Sequence, residues 1–235
     1  MKIYRDVVQG TEEWKRLRLG IPTASQFHRI VTPKGQPSKS QEAYRHELLA
    51  ERLLGEEIEG FESKWMTRGK DTELEAIQFY EMQRGVDVER IGFILNDAGT
   101  VGASPDGLVG EPGLAEIKIP KPGIHIGYLF QDGSAYAEHR IQAQGQLWIA
   151  EREWNDLVSY CPGLPPAIHR VYRDDVFIQA LAVEVFAFSE KLEAMFADAV
   201  ARGWVRERLE PKLSQAEELL KALKDSLIAV SEDRL

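Results

Sequence analysis

Two carboxylates and a lysine occur at a spacing that could build a hydrolytic site. Asp106 lies between turn-forming residues, and Glu116 and Lys118 follow ten and twelve positions later in a strand-like segment. The turn sequence GEPG at 110–113 separates the two segments and predicts a β-hairpin. Residues whose numbers sum to about 223 then face each other, which places Asp106 opposite Ile117. Asp106 would then also lie beside Glu116 and Lys118.

The alternation of the second strand predicts one charged face and one apolar face. Because successive side chains point to opposite sides of a strand, one face holds Leu114, Glu116 and Lys118, and the other holds Ala115, Ile117 and Ile119. We expect the face of Ile117 to be buried and the other to carry the charges. An ordinary amphipathic hairpin with a solvated Glu-Lys pair is the alternative interpretation.

A third carboxylate, Glu73, lies on the apolar face of a helix predicted over about 63–84. The apolar stripe at spacings of three and four comprises Met66, Gly69, Glu73, Ala76, Ile77 and Tyr80. Burial of a carboxylate is costly unless a cation or hydrogen bonds compensate it. Gly69, one turn before Glu73, leaves room for a ligand or another backbone.

Three carboxylates and a lysine arranged in this way suit a hard divalent cation. Mg²⁺ prefers oxygen ligands, keeps several waters and is often completed by substrate phosphate. A neighbouring lysine can orient or activate an attacking water, while the metal stabilises charge that develops on phosphorus. The reaction indicated is hydrolysis of a phosphodiester.

The spacing of Asp106 and Glu116-Ile117-Lys118 resembles the motif of PD-(D/E)xK nucleases. More narrowly, four blocks in order resemble the phage lambda exonuclease (YqaJ-type recombinase) family over roughly residues 10–150. The blocks are WKRLRLGIPTAS at 14–25, RGKDTE at 68–73, SPDGL at 104–108, and EIK at 116–118 with QAQ at 142–144. The resemblance implies an α/β (α+β) fold with a restriction-endonuclease-like core, in which helices flank a central mixed sheet.

The resemblance also implies roles at the metal site. Asp106, Glu116 and the backbone carbonyl of Ile117 would be metal ligands, Lys118 would assist the nucleophilic water, and Glu73 matches a helix carboxylate that supports the site. Two Mg²⁺ ions are implied, with Mn²⁺ as a substitute.

The first and last blocks are implied to contact the DNA end and the metals. Arg18 and Ser25 would hold the 5′-phosphate, and Trp14 would pack near the terminal nucleotide; from the residues alone, Arg18 could equally extend into solvent from a short helix. Gln142 and Gln144 lie about 200° apart on a helix, so at most one faces the metals, and the family favours Gln142.

One basic group of the family pattern is missing. Members carry a basic residue shortly after the ExK strand that helps to grip phosphate, whereas this chain has Ile124 and His125 there. Lys121 and His125 are the candidate substitutes.

The function implied by the resemblance is that of a Mg²⁺-dependent exonuclease. It would degrade one strand of duplex DNA from the 5′ end and leave a 3′ single-stranded tail for recombination, as a homotrimeric ring with a single-strand annealing protein as partner. The alternatives are a PD-(D/E)xK endonuclease of restriction or repair type, and a catalytically silent DNA-binding module. A Cas4-like nuclease is disfavoured because the single cysteine, Cys161, cannot supply an iron–sulfur cluster.

Charge is distributed unevenly along the chain of 235 residues. Residues 1–45 carry nine Lys/Arg against four acidic residues, a balance of +5, whereas the whole chain has a net charge of -9 and the remainder therefore -14. A basic N-terminal region on an acidic body could steer DNA to one mouth of a site, although uneven charge is common. No run approaches the roughly 18 apolar residues of a membrane helix, and the first residues lack the apolar core of a signal peptide, so we expect a cytoplasmic protein.

Capping and turn signals predict the elements that position these residues. Helices are expected near 12–19, after Thr23 or Ser25, and over 41–54, 63–84, 134–150 and 174–202. A β-meander is expected over 86–120, with further strands at 156–161 and 167–173. We expect a single nuclease domain over 1–235 with a helical tail at about 205–232, where Ser214 and Glu217 form a capping box before a heptad pattern.

Overall fold

A computed structural model of the protein describes residues 1–58, 69–130, 137 and 139–204. The chain divides into two compact units, Met1–Asp198 and Ala199–Leu235. The site described below lies in the first unit. The predicted tail at 205–232, residues 63–68 of the predicted helix 63–84, and residues 134–136 of the predicted helix 134–150 lie outside the described residues.

A five-stranded mixed sheet carries the predicted hairpin at its centre. Its strands are β2 (Val88–Glu89), β5 (Gly107–Val109), β6 (Gly113–Lys118), β7 (Trp154–Ser159) and β8 (Ala167–Tyr172), adjacent in that order. Strand β6 pairs antiparallel with β5 and parallel with β7, while the remaining pairs are antiparallel. The strand that carries Glu116 and Lys118 is therefore flanked by a strand on each side.

A second sheet, of three strands, corrects the predicted meander over 86–120. It contains β1 (Lys2–Tyr4), β3 (Phe93–Leu95) and β4 (Gly102–Ala103), in the order β1-β3-β4. The prediction of one continuous meander is wrong, because the chain leaves the large sheet after β2 and returns to it at β5. Pairing of β3 with the N-terminal strand β1 is a long-range contact that local turn signals do not encode.

The predicted helix ends at Thr11, Gly55 and Asp174 are present in the structure, whereas the helix predicted over 134–150 begins at Arg140. The helices are α1 (Glu12–Arg18), a 3₁₀ helix (Ala24–Arg29), α2 (Gln41–Leu54), α3 (Gly69–Arg84), α4 (Pro122–Phe130), α5 (Arg140–Ala150) and α6 (Asp175–Ala201). The Thr11 side chain caps α1, and Gly55 ends α2 with a φ of 73°, a conformation that glycine adopts easily. Helix α4 is not among the predicted elements. None of the helices that the structure describes is long and apolar enough to span a bilayer.

Apolar cores cover both faces of β6. Leu114 packs in a core with Leu147 of α5 and Leu181 of α6, whereas Ala115 and Ile117 pack in another core with residues of α3. The expectation that only the face of Ile117 is buried is therefore wrong. Since helices cover the second face as well, Glu116 is only 5% exposed, and its carboxylate must find partners inside the protein.

Candidate active site

A cavity of about 270 Å³ gathers most of the predicted site residues. Seven of the nine residues singled out in the sequence line it, whereas Glu73 and the side chain of Ile117 do not. The lining residues are Gln9, Trp14, Arg18, Thr23, Ser25, Ser104, Asp106, Glu116, Lys118, Gln142 and Gln146. Tertiary structure thus joins the N-terminal block, separated by some 90 residues in sequence, to the hairpin and to α5.

The hairpin has a register one position away from the prediction. Leu108 pairs with Leu114, so facing residues sum to 222, and the turn is centred on Glu111. Asp106 lies just before β5, where its backbone N–H donates to the Ala115 carbonyl at 3.1 Å. Its Oδ2 accepts from the Ile117 N–H at 2.6 Å. These two bonds hold the Asp106 carboxylate beside the strand that carries Glu116.

Three side-chain donors converge on the Glu116 carboxylate. Lys118 Nζ lies 2.8 Å from Oε1, and Gln142 Nε2 donates to the same oxygen at 2.6 Å. Gln146 Nε2 donates to Oε2 at 2.6 Å. Lys118 Nζ also donates to Gln142 Oε1 at 3.2 Å. Glu116 is therefore held as an oriented carboxylate, with the lysine ammonium beside it.

Helix α5 supplies two amides to this site, one of which the sequence reasoning missed. Gln142 and Gln146 are four residues apart and so project from the same face of the helix. Gln144 points elsewhere: its Nε2 donates to the Tyr172 carbonyl at 2.8 Å, and its Oε1 accepts from the Asp174 N–H at 2.9 Å. The spacing of four from Gln142 was the signal that could have identified Gln146.

The surroundings of Asp106 disfavour its negative charge. Burial is the main cause that raises the pKa of Asp106 well above its ordinary value, followed by the charges of Glu116 and Glu73. The hydrogen bond from the Ile117 N–H and the charge of Lys118 oppose this rise without cancelling it. A cation placed between the carboxylates would relieve the same repulsion.

Glu73 lies outside the cavity but is close enough to act on Asp106. The following residues of its predicted stripe, Ala76, Ile77 and Tyr80, are buried as expected. Its own side chain is 31% exposed and lies 3.2 Å from Arg90 Nη2. The structure therefore places Glu73 in an ion pair at the edge of the site, with an electrostatic influence on Asp106.

The N-terminal block forms a second wall of the cavity. Trp14 Nε1 donates to the Gly92 carbonyl at 3.0 Å and to Ser104 Oγ at 3.1 Å, which anchors the indole next to the segment of Asp106. The Arg18 guanidinium lies over the Trp14 ring, with its Cζ 3.9 Å from the ring centroid. Burial lowers the pKa of Arg18. Arg18 therefore does not extend freely into solvent but presents a partly desolvated cation to the cavity.

The hydroxyl groups of Thr23 and Ser25 line the same cavity as the Arg18 guanidinium. Thr23 Oγ1 and Ser25 Oγ lie 3.3 Å apart, and both residues line the cavity. Ser25 belongs to the 3₁₀ helix, which packs against α5 at Gly145; a Cβ there would lie only 2.6 Å from Phe27 Cδ2. The absence of a side chain at Gly145 thus sets the distance between the hydroxyl groups and the amides of α5. A guanidinium with nearby hydroxyls is a suitable set of donors for a phosphate.

His125 does not replace the missing basic group. It is fully buried in α4, where its Nε2 lies 2.9 Å from the Pro165 carbonyl and its Nδ1 lies 2.7 Å from Ser159 Oγ. Both ring nitrogens are therefore occupied away from the cavity. Lys121, the other candidate, is exposed and does not line the cavity.

The donor set of the cavity fits a hard divalent cation. Asp106 and Glu116 supply carboxylate oxygens. Within the part of the chain that the structure describes, no group of three or more His, Cys, Asp and Glu side chains is arranged to hold a metal. Two carboxylates are nevertheless sufficient for Mg²⁺, which commonly uses one or two together with water and substrate phosphate. The oxygen donors fit Mg²⁺ or Mn²⁺ better than a soft metal.

The mixed sheet, the helices on both of its faces and the Asp106, Glu116 and Lys118 constellation at its centre define the PD-(D/E)xK-like nuclease fold. The model of the YqaJ-like viral recombinase domain matches residues 13–153, and the chain belongs to this family.

Solved structures of exonucleases are similar to this chain. The alkaline exonuclease LHK-Exo from Laribacter hongkongensis is 34% identical with a TM-score of 0.71, over 82% of this chain and 98% of that chain. Its complex with dAMP gives a TM-score of 0.72 over the same shares of the two chains. A phage-related exonuclease from Haemophilus somnus 129PT shares the fold at 17% identity and a TM-score of 0.62, over 76% of this chain and 96% of that chain. Curated protein sequences include no match to this chain.

Proposed function

We propose that this protein is a Mg²⁺-dependent exonuclease that degrades one strand of double-stranded DNA from its 5′ end and leaves a 3′ overhang. One observation carries the proposal: a single cavity joins the Asp106, Glu116 and Lys118 constellation to the cation of Arg18 and the hydroxyl of Ser25. Chemistry on a phosphodiester and capture of a terminal phosphate can therefore occur side by side. The 34% identity to an alkaline exonuclease supports the same activity.

The metal ions would be held by the carboxylates of Asp106 and Glu116, with the Ile117 carbonyl as the further proposed ligand. When bound, Mg²⁺ or Mn²⁺ supplies stabilisation of the negative charge that develops on the scissile phosphate. Two such ions are proposed on family membership. Glu73 has a supporting electrostatic role, since its charge reaches Asp106.

Lys118 is proposed to orient the attacking water. Its ammonium is held by Glu116 Oε1 at 2.8 Å and by Gln142 Oε1 at 3.2 Å, so it has a defined position at the cavity wall. An oriented ammonium can hold a water by hydrogen bonding and direct its oxygen towards the phosphorus. Gln142 thus helps to fix both the lysine and the carboxylate.

The wall formed by the N-terminal block is proposed to select the DNA end. Arg18 and Ser25 are proposed to bind the 5′-phosphate, and the Trp14 indole to pack near the terminal nucleotide. The stacking of Arg18 on Trp14 restricts the guanidinium, which reduces the entropy lost when a phosphate binds. Such an end-binding wall favours an exonuclease over a restriction-like or repair-like endonuclease.

The assembly and partners are proposed on family membership. We infer a homotrimeric ring, double-stranded DNA ends as substrate, a single-strand annealing protein as partner, and a cytoplasmic location. The net charge of -9 agrees with a protein that grips DNA locally rather than over its whole surface.

Digestion of matched linear and circular duplexes tests this function. The linear duplex carries labels at defined ends and either a 5′-phosphate or a 5′-hydroxyl, and each reaction is run with Mg²⁺, with Mn²⁺ and with EDTA. We expect acid-soluble nucleotides from the linear duplex only, with loss of the 5′-labelled strand and retention of its complement. Cleavage of closed circles would instead support an endonuclease, and binding without release of nucleotides would support a silent DNA-binding module.

A further inference from the structure

We infer that Asn155, which lies outside the cavity, is a positioning residue that orients Glu116 through the Gln146 side chain. This inference rests on the proposed function, because it assigns Asn155 a role in metal binding by the same site. Asn155 Nδ2 donates to Gln146 Oε1 at 2.7 Å, and Gln146 Nε2 donates to Glu116 Oε2 at 2.6 Å. The three side chains thus form a continuous chain of hydrogen bonds that ends on the carboxylate.

The Glu116 carboxylate, at the end of this chain of hydrogen bonds, determines the direction of every bond in it. A carboxylate only accepts hydrogen bonds, so the Gln146 amide must present its NH₂ group to Glu116 and its oxygen to Asn155. Asn155 must in turn present its own NH₂ group to Gln146. If Asn155 did not donate, the Gln146 amide could rotate by half a turn and direct its oxygen at Glu116, which would repel the carboxylate.

Because both amides are buried, changing their orientation would cost free energy, and the present orientation also has a free-energy cost. Asn155 is 0% exposed and lies outside the cavity, so water is not available to replace its amide, and Gln146 is only 1% exposed although it lines the cavity. Among the described residues, Asn155 Oδ1 is the buried side-chain oxygen left without a hydrogen-bond partner. An unpaired buried acceptor costs stability. The hydrogen bond that Asn155 donates to Gln146 therefore explains the arrangement better than a contribution to the stability of the fold does.

The sheet places Asn155 on the appropriate side of β7. It pairs with Leu114 of the parallel strand β6, and Glu116 follows two residues later on the same face of β6. The next residue, Asp156, points to the other face of β7, where its carboxylate accepts hydrogen bonds from Tyr80 and Arg170. Asn155 can therefore be changed without direct loss of the ion pair beside it.

Four variants, with a fifth held in reserve, separate positioning from a general structural effect. Asn155→Leu removes the donor in a side chain of similar shape, Gln146→Leu removes the link, and the double variant removes both. Gln144→Leu is the matched control, since Gln144 is an equally buried amide of α5 that bonds to Tyr172 and Asp174 instead of Glu116. Asn155→Ala removes the same donor if Asn155→Leu does not fold.

The first measurement is Mn²⁺ affinity of the DNA-free protein by electron paramagnetic resonance, with urea unfolding in EDTA as a check of folding. We expect Asn155→Leu and Gln146→Leu each to weaken Mn²⁺ binding at least about tenfold, as outer residues of metal sites commonly do. In the Gln146→Leu background, Asn155→Leu should have no further effect, because its influence passes through Gln146. Gln144→Leu should lose stability but keep its Mn²⁺ affinity.

An equal loss of affinity from Asn155→Leu in both backgrounds, or no loss in a folded single variant, would overturn the inference. Turnover of 5′-phosphorylated linear duplex gives a second check: kcat should fall with KM for DNA changed less than twofold. A KM effect alone would also count against positioning of Glu116.

A metal-free measurement keeps this inference separate from the proposed function. In protein with ¹⁵N-labelled glutamine, the Gln146 side-chain resonance, assigned by its loss in Gln146→Leu, should move or broaden in Asn155→Leu. An unchanged resonance would overturn the role of Asn155. If the wild-type protein binds no Mn²⁺ and releases no nucleotides, the proposed function fails, while the Gln146 resonance still decides whether Asn155 orients the amide.

Discussion

Gly145→Ala should damage phosphate selection and stability together, although it adds a single methyl group. The new Cβ would lie 2.6 and 2.8 Å from two atoms of the Phe27 ring and 3.2 Å from Ala24 Cβ. Ordinary van der Waals contact begins near 3.4 Å, so the 3₁₀ helix must retreat from α5 by about 0.8 Å unless the ring yields. That helix carries Ser25, whereas α5 carries Gln142.

The expected magnitude follows from this displacement. Overpacking of a close-packed core typically costs about 1–3 kcal/mol in the free energy of unfolding. A misplacement of about 1 Å in a site can cost on the order of 100-fold in rate. We expect the Gly145→Ala protein to lose about 1–3 kcal/mol and to show a reduced preference for 5′-phosphorylated over 5′-hydroxyl ends.

Urea unfolding and end-labelled digestion measure the two effects. Gly123→Ala in α4 is the matched control, because a Cβ there meets nothing within 4 Å and should leave both quantities nearly unchanged. Phe27→Leu in the Gly145→Ala background frees space at the contact and should restore part of the end preference. Unaltered stability and end preference in Gly145→Ala would refute the view that Gly145 sets the distance between the two walls.

Three further predictions address the chemistry directly. Lys118→Ala should lower kcat at least about 100-fold, the usual scale for loss of one positioned hydrogen-bond donor, while DNA binding in Ca²⁺ stays nearly intact; loss of both would indicate a structural lysine. Arg18→Ala should erase the preference for a 5′-phosphate, and an unchanged preference would mean that the phosphate is bound elsewhere. Because burial and nearby carboxylates raise the pKa of Asp106, folding without metal should lose stability as pH rises from about 4 through the raised value. Asp106→Asn in EDTA should therefore be more stable than the wild type at neutral pH, with a difference that shrinks towards pH 4; urea midpoints that do not converge would contradict this.

Several elements were predictable because their signals are local. The Thr11 cap of α1, the glycine that ends α2 and the Asp174 side chain at the start of α6 act within one helical turn, and the structure has each of them. The hairpin was predictable from its turn residues, but its register was missed by one position. A turn of three residues differs from a turn of two only in backbone geometry, which composition specifies poorly.

Other features depended on contacts between distant segments. The pairing of β3 with β1, the burial of both faces of β6 and the seclusion of His125 each require a partner from another part of the chain. Helix α4 lacked a polar cap, and its apolar run gave no clear period. Such features are decided by packing, which can override local preference.

The sequence alone determined which chemical groups this protein has: Asp106, Glu116 and Lys118 at the spacing of a hairpin, and a separate block with Arg18 and Ser25. The tertiary structure decided that these groups share one cavity, that Glu73 stays at its edge, and that Gln146 and Asn155 belong to the support of Glu116. The physical reason is the separation along the chain over which each kind of interaction acts. Caps, turns and strand alternation act over a few residues, whereas the orientation of a buried carboxylate depends on donors brought to it by the packing of the whole domain.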